Sequence, residues 1–120
     1  MLRSSGVAYA RGSVWVLTLG SFGQGAGRIY KLNARTGKIQ RVITGLTAPV
    51  GLAVNKDSIY FGEPNGPGAI ARIHNGKFTR AAVPSPTGLV IRRGFLFATS
   101  NTFAPPGAGQ LVRVPNSSFK

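Results

Sequence analysis

Gly51-Leu52-Ala53-Val54, Ser58-Ile59-Tyr60-Phe61, Gly68-Ala69-Ile70-Ala71-Arg72-Ile73 and Lys77-Phe78-Thr79-Arg80-Ala81-Ala82-Val83 are four short apolar runs in immediate succession. Each is rich in β-branched or aromatic residues and bounded by Gly, Pro, Asn or Ser, the composition of strands rather than helices. Asn75-Gly76 separates the last two runs and reads as a hairpin turn, because both residues tolerate positive φ. No segment sustains apolar residues at i, i+3, i+4 and i+7, so the sequence predicts essentially no helix.

The same order recurs on either side of this stretch. Gly6-Val7-Ala8-Tyr9 and Gly88-Leu89-Val90-Ile91 match the first run, so the units start 51 − 6 = 45 and 88 − 51 = 37 residues apart. Ser13-Val14-Trp15-Val16 and Phe95-Leu96-Phe97-Ala98 match the second run and, like it, begin seven residues beyond their glycine. Gly27 to Leu32 and Gly109 to Val114 match the third, and Lys38 to Ile43 matches the fourth. Four short strands in roughly 40 residues is the period of a propeller blade. The expected fold is therefore all-β, with about three antiparallel blades in one segment spanning 1–120. The blade boundaries fall near 6–49, 50–87 and 88–120, and the third is incomplete at Ser117-Ser118-Phe119-Lys120.

Composition sets each strand's place. The small, wholly apolar first run suits the crowded innermost position, and the bulky second run suits the middle of the sheet. The fourth run carries Lys38, Arg41, Lys77 and Arg80 and reads as a solvated outer edge, where charge discourages strand pairing.

Thr47-Ala48-Pro49-Val50-Gly51-Leu52-Ala53-Val54, with the Ser58 to Glu63 and Gly68 to Ile73 runs, resembles the NHL and regucalcin/gluconolactonase-like six-bladed propellers. The likeness is greatest to the ScyD/ScyE-type branch, through the loops Gly66-Pro67-Gly68 and Pro105-Pro106-Gly107. One feature departs from that pattern. Relatives place an acidic Asp-Gly turn between the first two strands, whereas this chain has Arg11-Gly12, Lys56-Asp57 and Arg92-Arg93-Gly94. The resemblance implies an extracytoplasmic setting. It also implies, as an alternative function, a metal-dependent lactonase- or lyase-like enzyme with a site near the ring axis.

Closed propellers need about four to eight blades, more than this chain holds. Three units alone leave apolar faces bare on both flanks, so Trp15, Tyr60 and Phe97 each require a neighbouring sheet. Two arrangements provide one: a homodimer closing a six-bladed ring, or a place as one subunit of a larger complex. No apolar run reaches the ~18 residues of a membrane-spanning helix. A charge and a glycine interrupt the first apolar stretch, at Arg11-Gly12, so no signal-peptide core is expected there.

Fifteen Lys and Arg against two Asp and Glu leave a formal charge of +13. Such an excess points to an anionic partner: nucleic acid, an anionic polysaccharide, acidic lipid headgroups or an acidic subunit. Nucleic acid is the least favoured, because no groove-reading helix or aromatic–basic platform is visible. Lys31, Arg72 and Arg113 align across the repeats, as do Arg11, Lys56 and the Arg92-Arg93 pair. These seven residues are the expected anion-binding positions of a non-catalytic binding or scaffold module.

With no cysteine and one histidine, thiol chemistry and most metal cages are excluded. Glu63 ends a second strand, with Asn65 and Asn101 near equivalent positions. Together they form the candidate oxygen-ligand set for a divalent cation, the one cofactor considered, although calcium ordinarily takes about six to eight oxygens. His74 precedes the Asn75-Gly76 turn and reads as an exposed turn residue. Gly20 to Gly27 lacks the Gly-Lys-Ser/Thr ending and the helix of a phosphate loop. Phe22 and Phe103, in longer loops, are the expected contact surface.

Overall fold

The computed structural model describes residues 4–20, 25–56, 58–101, 107 and 109–120. Among these residues the chain is all-β, with eleven strands in three antiparallel sheets and a single 3-10 turn, Asn116–Ser118. The first sheet holds β1 (Ser4–Ala10), β2 (Ser13–Thr18), β3 (Gly27–Asn33) and β4 (Ile39–Leu46) in that order. The second repeats the order with β5 (Val50–Val54), β6 (Ser58–Glu63), β7 (Ala69–His74) and β8 (Lys77–Ala82). The third holds β9 (Leu89–Arg92), β10 (Phe95–Ser100) and β11 (Gln110–Val114), with three strands among the described residues.

Local sequence accounts for the hairpins. Arg11-Gly12, Asn75-Gly76 and Arg93-Gly94 all have positive φ at both positions, the geometry whose twist matches that of the flanking strands. Asn55 closes the β5–β6 turn instead with its side chain, Oδ1 accepting from Ser58 N at 2.8 Å. First strands also share a bulge, with the register shifting between Ser4 and Gly6 in β1 and between Val50 and Leu52 in β5. Gly51 is the bulged residue of β5 and Gly6 flanks Ser5 in β1, where adjacent sheets crowd together. A Cβ on Gly51 would stand 2.2 Å from the Thr87 carbonyl oxygen, and its φ is +67°.

The sheets stack face to face, with the first strands β1, β5 and β9 side by side. Strand alternation sends Leu52, Ile59, Phe61, Ala71 and Ile73 toward the first sheet, against Trp15, Leu17 and Ile29. The opposite face sends Ala53, Tyr60 and Ile70 toward the third sheet, against Leu96, Ala98 and Val114. The second sheet is thus covered on both sides, and Phe61 and Ile70 are fully buried. Burying a side chain of that size contributes roughly 1.5–3 kcal/mol.

Beyond β11 the chain does not begin a fourth strand. It makes the 3-10 turn, and Phe119 then inserts into the second core, edge-to-face with Tyr60 at 5.5 Å. Lys120 pairs with Arg80 on the outer edge of β8, N–H to carbonyl in both directions, at 3.1 and 3.3 Å.

Candidate functional site

The repeated cations form two rows. Arg11, Lys56 and Arg93 take the same place in the three first hairpins, with Arg92 at the end of β9, and all four are exposed. Lys31, Arg72 and Arg113 lie on the third strands, each opposite an aromatic residue of the second strand. The pairs are Trp15 with Lys31, Tyr60 with Arg72 and Phe97 with Arg113. Lys31 Nζ lies 5.3 Å from the centre of the Trp15 ring. Arg72 Cζ lies 4.9 Å from the Phe119 ring, and Arg113 Cζ lies 5.0 Å from Phe95. Ring faces attract cations, so each charged head is held over an aromatic ring by cation–π attraction.

Only one ion pair occurs among the described residues. Arg80 Nε donates to Glu63 Oε1 at 2.7 Å and Arg80 Nη2 donates to Oε2 at 3.2 Å. The hydrogen bond to Glu63 raises the pKa of Arg80, opposed by partial burial. Glu63 and Asn65 line one cleft, with Thr47 and Gly68. Asn101 lines a different groove, and its backbone N–H donates to the Pro84 carbonyl at 2.8 Å. The three candidate oxygen ligands therefore divide between two places. The residues matching Glu63 in the other repeats are satisfied locally, since Thr18 Oγ1 bonds Arg28 and Ser100 Oγ donates to the Pro84 carbonyl. Among the described residues no group of three or more His, Asp or Glu comes together.

His74 departs from its expected place. It ends strand β7 and is half-buried, because the register sets it opposite Ser58, whose Oγ lies 2.9 Å from His74 Nδ1. The partner was hidden in sequence by the separation of 16 residues. Phe22 and Phe103 lie outside the described residues. Among the described residues no helix is long and apolar enough to cross a membrane.

The chain matches no protein-family model and no curated protein. Among solved structures it is similar to the crystal structure of the computationally designed Ika4 protein. Identity is 13%, with 93% of this chain and 91% of that chain covered and a TM-score of 0.48.

Proposed function

We propose that this chain is a non-catalytic binding and scaffold module of β-propeller type, whose ring is completed by a second copy and whose repeated cations hold an anionic partner. One observation carries the reading: each outer face of the three-sheet stack has the chemistry of a face buried one sheet further along. Val7 and Tyr9 are 65% and 69% exposed, at the repeat positions of Leu52 and Val54, which pack against the first sheet. On the opposite flank Val90 and Leu111 are 54% and 71% exposed, at the positions of Ala53 and Ile70, which are buried against the third sheet.

Exposed apolar patches of this kind mark association surfaces. Because the two faces differ, and the repeat equivalents of each pack against one another inside the stack, association is head to tail, and two copies of three sheets give a closed ring of six. The resemblance to six-bladed NHL and regucalcin-like propellers agrees with that number. Glu63, the centre of the alternative enzymatic reading, is engaged by Arg80, which favours a structural role for it.

Sedimentation tests the assembly. Micromolar protein should run at twice the 12.6 kDa chain mass, and a stable 12.6 kDa species overturns the ring. Anion binding is tested separately on a polyanion resin. Retention should fall steeply between about 0.1 and 0.5 M salt, and retention independent of salt overturns it.

A further inference from the structure

Two clefts open between neighbouring sheets at the same end of the stack, and the repeat relates them. The first, of about 210 Å³, has Arg11, Ser13, Trp15 and Lys31 on one wall and Val54, Asn55 and Lys56 on the other, so three cations converge there. The second, of about 300 Å³, has Ser58, Tyr60 and Arg72 on one wall and Ile91 on the other. Serine, aromatic, cation and facing aliphatic residue thus recur at four matched positions. His74, Asn55 and Asn116 complete the second cleft, and among the described residues no carboxylate lines either one.

We infer that the second inter-sheet cleft binds an acidic sugar, one hexuronate unit, which narrows the anionic-partner reading above to a substrate class and rests on it. The second cleft brings one arginine together with four other polar side chains, Asn55, Ser58, His74 and Asn116. A bare phosphate or sulfate would favour several converging cations. A hexuronate carries one carboxylate and several hydroxyls, and that ratio matches the cleft. Arg72 is half-buried, with its guanidinium stacked over the Phe119 ring and Nε donating to Thr79 Oγ1 at 3.3 Å, so the group is positioned before a ligand arrives. A guanidinium fork accepts a carboxylate through two parallel hydrogen bonds. Hydroxyl and amide side chains suit ring hydroxyls, which both donate and accept. The second cleft's volume lies at the lower end of the range for small-molecule sites.

Calorimetric titration of the full chain with a hexuronate trisaccharide should saturate with one uronate-binding cleft filled per chain. The neutral hexose trisaccharide should bind at least about tenfold more weakly, as should inorganic phosphate. Arg72→Met should abolish the hexuronate heat, and Arg72→Lys should restore part of it in a chain of unchanged circular dichroism. Lys31→Met, in the first cleft, should leave the titration unchanged. Equal binding of the neutral sugar, or hexuronate binding unaffected by Arg72→Met, overturns the inference. Salt-dependent retention on polyphosphate without hexuronate binding overturns the cleft alone and leaves the basic rows standing. Absence of both takes the anionic-partner reading down as well.

Discussion

Val7 on β1 and Leu52 on β5 each follow the glycine that opens their repeat, yet Val7 is 65% exposed and Leu52 only 6%. Leu52 has the first sheet packed over it, and Val7 has none. The difference between these equivalent positions is the cover of an adjacent sheet, which the proposed ring would supply to Val7.

The same asymmetry separates Phe61 from Val16, which matches it on β2. Phe61 is fully buried and lies edge-to-face with Phe78 at 5.7 Å. Phe61→Ala should therefore lower unfolding stability by about 3–5 kcal/mol, read from urea denaturation. Val16→Ala, on the uncovered face, should cost the isolated chain less than about 1 kcal/mol while weakening self-association. Equal losses of stability for the two would mean that the outer face is already packed within one chain.

Gly51 carries the close approach of neighbouring first strands. Gly51→Ala adds a Cβ 2.2 Å from the Thr87 carbonyl oxygen at a φ of +67°, so backbone has to move. The expected loss is about 3 kcal/mol or more, with a large drop in melting temperature. Gly76, in the exposed Asn-Gly turn, has φ +74° and open space around its Cβ position. Gly76→Ala should cost about 1 kcal/mol, the conformational penalty alone.

The Glu63–Arg80 pair is a surface feature, with side chains 21% and 54% exposed. Glu63→Gln should destabilise by about 0.2–1 kcal/mol, and the difference should shrink at high salt. Glu63 raises the pKa of Arg80, so the stabilisation is fully present below arginine's ordinary value and lost only as pH rises beyond the raised one. Thermal melts of wild type and variant should therefore differ by a constant amount between about pH 6 and 9. A difference that disappears within that window contradicts this assignment.

Strand positions were legible in the sequence because the apolar runs are short, repeated and punctuated by Gly, Asn and Pro. All eleven strands coincide with those runs, and the second strands lie inside their sheets as their bulk suggests. Contacts between separate repeats were not legible. Nothing in Ser117-Ser118-Phe119-Lys120 announces that Phe119 will fill the space beside Tyr60 and Arg72, since that space exists only once the second and third sheets stack. Nor does spacing place Arg80 on Glu63, because the two meet across β6, β7 and β8. The aromatic–cation pairs could have been found, since Trp15, Tyr60 and Phe97 hold the same place in their second runs, their cations hold the same place in the third runs, and the hairpin register makes them direct partners.

The most direct test of head-to-tail closure uses two variants, Val7→Asp on the β1 flank and Leu111→Asp on the β11 flank, sedimented singly and mixed. A ring with two identical interfaces joins unlike faces, so each variant alone has both interfaces damaged and should run as a monomer. In the mixture one interface pairs two intact faces, and an open dimer of about 25 kDa should reappear, twice the 12.6 kDa chain. A variant that dimerises alone as well as the wild type does, with no gain on mixing, would mean that like faces pair, and closure into a six-sheet ring would be contradicted.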